Sequence, residues 1–164
     1  MLRAPEPFTS HHDIAGFDCG VASLNHWLER RAAANQISGA SRTFVACEDH
    51  KVVGYYALAS SAIAPAAASG RFRRNMPDPI PVVVLGRLAV ATSLHGQGLG
   101  RDLFQDAALR VIHAADAIGI RGMVVHTLSE EAKAFYLRLG LEESPLDPMT
   151  LVVTVADLRA AMKP

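Results

Sequence analysis

The most constraining feature of the sequence is the junction at its middle, where the apolar run Ile80–Val90 (IPVVVLGRLAV) leads into His95-Gly96-Gln97-Gly98-Leu99-Gly100-Arg101. The run predicts a buried central strand. Beyond it Leu99, Leu103, Ala107, Val111, Ala114 and Ile118 recur at helical spacing, predicting an amphipathic helix that Gly119 stops. A strand, a glycine-rich turn and a helix in that order make a site for an anion. Glycines let the backbone approach a ligand closely and take conformations closed to other residues. The free N–H groups of the helix's first turn then face the loop, where the helix dipole favours a group such as a pyrophosphate. Arg101 adds a charge-assisted contact. A P-loop would need Gly-Lys-Ser/Thr here, and a dinucleotide fingerprint would need a third glycine where Arg101 stands. The bland alternative is a turn that only makes a tight strand-to-helix corner.

Upstream, Val21, Leu24, Trp27, Leu28 and Arg31 fall at helical spacing, with Asp18 as a candidate cap. Arg42–Glu48 and Lys51–Ser60 read as two strands of a hairpin joined at Asp49-His50. Ile63–Pro79, with its prolines, reads as a loop or broken segment. Downstream, Arg121–Thr127 reads as a strand, and Ser129 caps a helix whose first turn holds Glu130 and Glu131. Ala132, Phe135, Tyr136 and Leu139 line one face of that helix, and Gly140 ends it. Met149–Val155 reads as the last strand and Ala156–Met162 as a short helix. This order predicts one α/β (α+β) domain over residues 1–164, with a mixed sheet.

Composition narrows the chemistry. The chain has 164 residues, half of them hydrophobic, and a formal net charge of zero, so nothing draws it as a whole toward nucleic acid. Charge is nonetheless unevenly placed: Arg30 and Arg31 adjoin, and Arg71, Arg73 and Arg74 cluster, while Glu142, Glu143 and Asp147 come late. No run of about 18 apolar residues is present, so no membrane span is expected. Cys19 and Cys47, the only two cysteines, are not in ligand spacing and suit a reducing cytoplasm. The seven histidines show no HExxH or zinc pattern, and no GxSxG elbow exists, so neither a metal nor a serine nucleophile is expected.

Leu88-Ala89-Val90 followed by His95–Arg101 resembles the signature of the GNAT N-acetyltransferases, with Gly98 and Gly100 in place and His95 where the family pattern prefers Gln or Arg. Phe17-Asp18-Cys19-Gly20 with Leu24 and Trp27-Leu28, Ser41–Val45, Val53–Leu58, Pro81–Val90 and Ala134-Phe135-Tyr136 are similar to one branch of that family: the acetyltransferase toxins of bacterial type II toxin–antitoxin modules. The resemblance implies a mostly antiparallel sheet, splayed into a V at its central strands and flanked by helices. It implies acetyl-CoA as donor, held by Leu88, Ala89 and Val90 through the pantetheine arm and by His95, Gly96, Gln97, Gly98, Leu99, Gly100 and Arg101 at the pyrophosphate. The resemblance also implies that Ser129, Lys133 and Phe135 flank the cofactor, the alternatives being a helix cap for Ser129 and a solvated lysine for Lys133.

Tyr136 is the implied catalytic acid, protonating the departing thiolate. A phenol with a pKa of about 10 is protonated at neutral pH, and a thiolate whose thiol has a pKa of about 8.5 accepts a proton readily. The alternative is that Tyr136 simply packs on the helix's apolar stripe. The implied acceptor is the α-amine of aminoacyl-tRNA, with Arg30, Arg31, Arg71, Arg73 and Arg74 as candidates for its phosphates. A ribbon-helix-helix antitoxin and a homodimer are the implied partners. A GNAT enzyme of small amines or protein N-termini, and a non-catalytic GNAT-fold binding module, are the competing readings.

Overall fold

The apolar runs singled out above become strands with few surprises. In the computed structural model, which describes residues 1–162, the elements are β1 (Glu6–Pro7), α1 (Ala22–Arg30), α2 (Ala32–Ser38), β2 (Arg42–Glu48), β3 (Lys51–Ile63), α3 (Gly70–Arg73), β4 (Ile80–Val90), α4 (Leu99–Ala115), β5 (Gly122–His126), α5 (Glu130–Arg138), β6 (Glu142–Glu143), β7 (Thr150–Thr154) and α6 (Val155–Met162). The strands follow the order β1-β2-β3-β4-β5-β7-β6. This is the mixed, mostly antiparallel sheet with helices that the sequence predicts. The chain packs as two compact units, one of Met1–Ala59 with Gly86–Ala107 and one of Ser60–Leu85 with the chain from Ala108 onward.

The first unit is organised around the β2–β3 hairpin, which pairs antiparallel from Arg42↔Leu58 to Glu48↔Lys51 with a bulge at Ala46/Cys47. Asp49 (φ 51°) and His50 (φ 68°) both take the left-handed conformation. That is the geometry of a two-residue turn whose twist matches the flanking strands. β1 adds antiparallel to β2 through Glu6↔Val45. Near the end of β4, the Ala91 N–H donates to the Val53 carbonyl of β3 at 2.8 Å. The core gathers Phe8, Leu28, Ala32, Val45, Tyr55 and Ala89.

The second unit holds the first half of β4, which pairs parallel with β5 from Val82↔Gly122 to Leu85↔Val125. β5 pairs antiparallel with β7, and β7 with β6. Phe72, Ile80, Val82, Val124 and Val152 form its core. Gly122 is required by close packing: a Cβ there would stand 2.0 Å from the Val153 carbonyl oxygen and 2.7 Å from the Phe72 ring.

Several boundaries differ from the sequence expectation. Asp18 does not cap α1; Val21 holds that position without a side-chain bond. The Asp18 carboxylate instead accepts from the Gly20 N–H at 2.9 Å and from Asn25 Nδ2 at 3.0 Å. These bonds, the Gly20 amide first, lower its pKa. α4 ends at Ala115 rather than at Gly119, its last carbonyls taken up in a turn that leaves Ile118 61% exposed. β3 runs on to Ile63, and the broken segment 63–79 contains α3, whose cap is the Ser69 hydroxyl accepting from the Phe72 N–H. α2, β1 and β6 were not expected at all. α5 begins as predicted, with Ser129 accepting from the Ala132 N–H at 3.1 Å.

Candidate active site

Within the first unit the end of β4 alternates: Ala89 is buried, and Leu88 and Val90 are half-buried. A single turn, Thr92–Leu94, then carries the chain to His95. The Thr92 N–H donates to the Asp18 carbonyl at 2.9 Å, tying this turn to the Phe17–Gly20 loop. His95 Nε2 lies 2.7 Å from the Val90 carbonyl oxygen. A carbonyl only accepts, so Nε2 carries the proton, and the ring is folded back onto the strand end. The residue that departs from the family pattern thus braces the loop.

Gly96 (φ 79°) and Gly98 (φ 82°) are left-handed, a conformation that costs other residues about 1–2 kcal/mol. Neither would meet anything within 4 Å if it carried a Cβ, so the requirement at these positions is conformational and the space before the loop is open. The helix then starts, and its first intrahelical bond runs from the Asp102 N–H to the Gly98 carbonyl at 3.1 Å. Amides ahead of that bond lie in the first turn, where a helix has no partner of its own to offer. Leu99 is buried at 7% exposure and sets the helix start against β3: a Cβ on Gly54 would stand 3.5 Å from Leu99 Cδ2 and 3.1 Å from Leu103 Cδ1. Gln97 and Arg101 are exposed, and Gly100 already lies within α4. The loop is open, left-handed at two glycines, and leads into the positive end of a long helix, a geometry in which an anion can be held.

Arg87, to which the sequence reading gave no role, projects from β4 onto an aromatic stack. Its guanidinium carbon is 5.2 Å from the Trp27 ring centroid. Trp27 lies nearly parallel to Tyr55, at 5.9 Å and 7°. Only the folded arrangement reveals this, since Trp27, Tyr55 and Arg87 come from three separate segments.

In the second unit Tyr136 sits on α5 at 6% exposure, with Phe135 edge-on at 5.0 Å and 78°. Burial pushes the Tyr136 phenol well above its ordinary pKa. A phenol so placed stays protonated throughout the neutral and mildly alkaline range, as a proton donor must. On the same helix Lys133 Nζ is 2.7 Å from Glu143 Oε1. That contact, chiefly through its hydrogen bond, raises the lysine's pKa. Ser129 spends its oxygen on the helix cap.

The five candidate arginines divide between the units. Arg30 and Arg31 are exposed where α1 meets α2. Arg73 and Arg74 are exposed at the end of α3, while Arg71 is held by the Asp157 carboxylate. One grouping escaped sequence spacing: Glu6, His12 and Cys47 bring possible ligand atoms within 4.8 Å of one another. Both nitrogens of His12 are already in hydrogen bonds, Nε2 to Glu6 at 2.8 Å and Nδ1 from the Thr9 N–H at 3.0 Å. Among the described residues, no helix is long and apolar enough to cross a membrane.

Residues 39–143 match a family model described as an acetyltransferase (GNAT) domain. A tRNA-acetylating toxin of Mycobacterium tuberculosis is 49% identical over 157 residues, covering 96% of this chain and 95% of that protein. Among solved structures, AtaT complexed with acetyl-methionyl-tRNAfMet superimposes with a TM-score of 0.91 at 31% identity, covering 99% of this chain and 100% of the other. A mutant AtaT toxin bound to the C-terminus of the antitoxin AtaR and acetyl-CoA gives a TM-score of 0.85 at 30% identity, covering 99% and 98%.

Proposed function

Because the chain belongs to the GNAT acetyltransferase family, we propose that it is a toxin that moves the acetyl group of acetyl-CoA onto the α-amine of aminoacyl-tRNA and so blocks translation. The observation that carries this reading is the near-full-length likeness to a tRNA-acetylating toxin. The open left-handed cradle at Gly96–Gly98 supports the donor half of it. Residues 1–164 act as one N-acetyltransferase domain, working in the cytoplasm as a homodimer. A ribbon-helix-helix antitoxin neutralises it.

The chain's residues divide the work. Gly96–Arg101 and the first turn of α4 bind the pyrophosphate through backbone amides, with Arg101 adding charge. Backbone N–H groups of Leu88–Val90 hold the pantetheine arm and polarise the thioester carbonyl. The amine needs no strong base: an α-amine titrates near pH 8, and an adjacent ester lowers that value further, so a useful fraction is already neutral. Its lone pair attacks the carbonyl carbon, the C–S bond breaks, and the amine gives up one proton to solvent. Tyr136 donates its phenolic proton to the departing CoA sulfur and is reprotonated from water.

The test is incubation of the purified protein with radiolabelled acetyl-CoA and charged bulk tRNA, beside a Tyr136→Phe control. Label on the aminoacyl group with wild type and not with the control is the expected result. Binding of acetyl-CoA with no labelled tRNA would redirect the assignment to a small amine or a protein N-terminus.

A further inference from the structure

The sequence near the thioester-binding stretch contains a cation that the mechanism above does not use. Arg87 lies on β4 directly before Leu88 and is half-buried. Its guanidinium rests 5.2 Å from the Trp27 centroid. Trp27 in turn is stacked on Tyr55, which is fully buried and donates its hydroxyl to the Leu24 carbonyl at 2.6 Å. Phe17 closes the edge of the same tyrosine at 5.7 Å and 65°. The platform under the guanidinium is therefore fixed from below by the core of the first unit.

The guanidinium itself is underused. Among the described residues its one hydrogen bond goes to the carbonyl of its own neighbour, Gly86, from Nη1 at 2.8 Å. A guanidinium carries five donors. Among the described residues no carboxylate comes within ion-pair distance of Arg87, whereas Arg71 and Arg159 each hold an aspartate. A partly desolvated cation that keeps its donors unspent and its plane fixed is prepared for an anion from outside.

We infer that Arg87, seated on Trp27, binds the 3′-terminal phosphodiester of the acceptor, and this rests on the reading that the acceptor is an aminoacyl-tRNA. In such an acceptor the amine hangs from an ester on the last ribose, and the nearest fixed anion is the phosphodiester that joins this nucleotide to the chain. The flat, forked guanidinium takes two phosphate oxygens at once. Its place on β4 beside Leu88–Val90 puts that contact next to the stretch assigned to the thioester. The CoA pyrophosphate is accounted for separately, beyond the strand's end at Gly96–Arg101. Trp27 also leads outward: the Arg31 N–H donates to the Trp27 carbonyl at 2.8 Å, and Arg30 and Arg31 are exposed at that end of α1. Free amines and amino acid esters lack the phosphate, so Arg87 selects for a nucleotide-borne acceptor.

The experiment compares wild type, Arg87→Ala and Arg87→Lys on two acceptors, charged tRNA and a 3′-O-aminoacyl adenosine with no phosphate, together with acetyl-CoA affinity by calorimetry. For Arg87→Ala the expected loss in kcat/KM with charged tRNA is about 10- to 100-fold. Acetyl-CoA affinity and the rate on the phosphate-free acceptor stay within about twofold, the scatter expected where no charged hydrogen bond is lost. Arg87→Lys falls between the two. The slope of log KM for tRNA against log salt should drop by about 0.7, the value for one contact to a single-stranded phosphate. An unchanged salt slope, equal losses on both acceptors or a weakened acetyl-CoA complex would each overturn the assignment. If wild type labels neither acceptor, the aminoacyl-tRNA reading itself falls and takes this inference with it. If wild type labels tRNA and Arg87→Ala does so equally well, only this inference fails.

Discussion

His95 turns its imidazole back onto the strand that precedes it, with Nε2 2.7 Å from the carbonyl oxygen of Val90. The bond closes a short loop between the end of β4 and the glycines, and holds Val90 and Gly96 in fixed relation before any ligand arrives. His95→Ala should therefore raise the acetyl-CoA dissociation constant by about three- to tenfold, the worth of one neutral hydrogen bond. His95→Gln, which keeps an N–H donor, should recover part of that loss. Calorimetry on the three proteins checks both statements; no change in the alanine variant would mean that the glycines order themselves.

Tyr136→Phe removes the proton donor without removing the ring that fills its buried position on α5. Turnover on charged tRNA should fall by about 10²- to 10⁴-fold, the range for a lost general acid. Acetyl-CoA affinity should be unchanged. Single-turnover kinetics beside calorimetry separates the two, and a variant with full turnover would transfer the acid role to another group or to water.

All three tyrosines of the chain, Tyr55, Tyr56 and Tyr136, are buried. Burial, the first cause at Tyr55 and the cause at Tyr136, raises both phenols above the value they take in the unfolded chain. Above pH of about 10 the unfolded chain loses these protons and the folded chain keeps them. The stabilisation is thus intact below about pH 10 and disappears as pH rises through the folded values. The denaturant midpoint should fall on the alkaline side of about pH 10, and less steeply in Tyr136→Phe. Phenolate absorbance should appear together with unfolding. A native chain in which Tyr55 or Tyr136 titrates at pH of about 10 would contradict their burial.

Gly122→Ala forces a Cβ to within 2.0 Å of the Val153 carbonyl oxygen, which β5–β7 pairing holds in place. The loss should exceed about 3–4 kcal/mol, at the diagnostic end for single substitutions, and the protein should be found insoluble or unfolded. Gly54→Ala meets the end of the Leu103 side chain at 3.1 Å and should be far milder, about 1–2 kcal/mol. Circular dichroism melts of both variants check the ranking.

Arg73→Ala with Arg74→Ala removes two exposed cations at the end of α3. KM for charged tRNA should rise and its salt dependence should flatten, while acetyl-CoA binding stays the same. Arg71 is a poorer choice for this test, because its loss also frees the Asp157 carboxylate. An identical salt slope would remove this patch from the tRNA footprint.

Much of this was legible in the sequence where one residue pattern forces one structure. Arg42–Glu48 and Ile80–Val90 appear with their predicted ends because each is an apolar run closed by residues that leave the strand. Ser129 is legible as a cap because its oxygen has a local use. α2 was missed because Ala32-Ala33-Ala34-Asn35 has no apolar stripe; only Ala32 of that helix is buried. β1 and β6 are two residues each, and exist only through their neighbours. In the site the glycines could be read from sequence because their conformational need is local. The Val90–His95 bond, the Lys133–Glu143 pair and the Arg87–Trp27 stack could not, since each depends on where distant segments or a flexible side chain come to rest.

The two compact units are interleaved along the chain, each drawing on a piece from before Gly86 and a piece from after Leu85. For a growing polypeptide this sets a timetable. The first unit lacks its strand end and its glycine cradle until residues up to Ala107 have been made, and the second lacks β7 until Thr154 has left the ribosome. A product that stops between Ala107 and Thr150 therefore carries one finished unit, the one with the glycine cradle, and lacks β7 of the other.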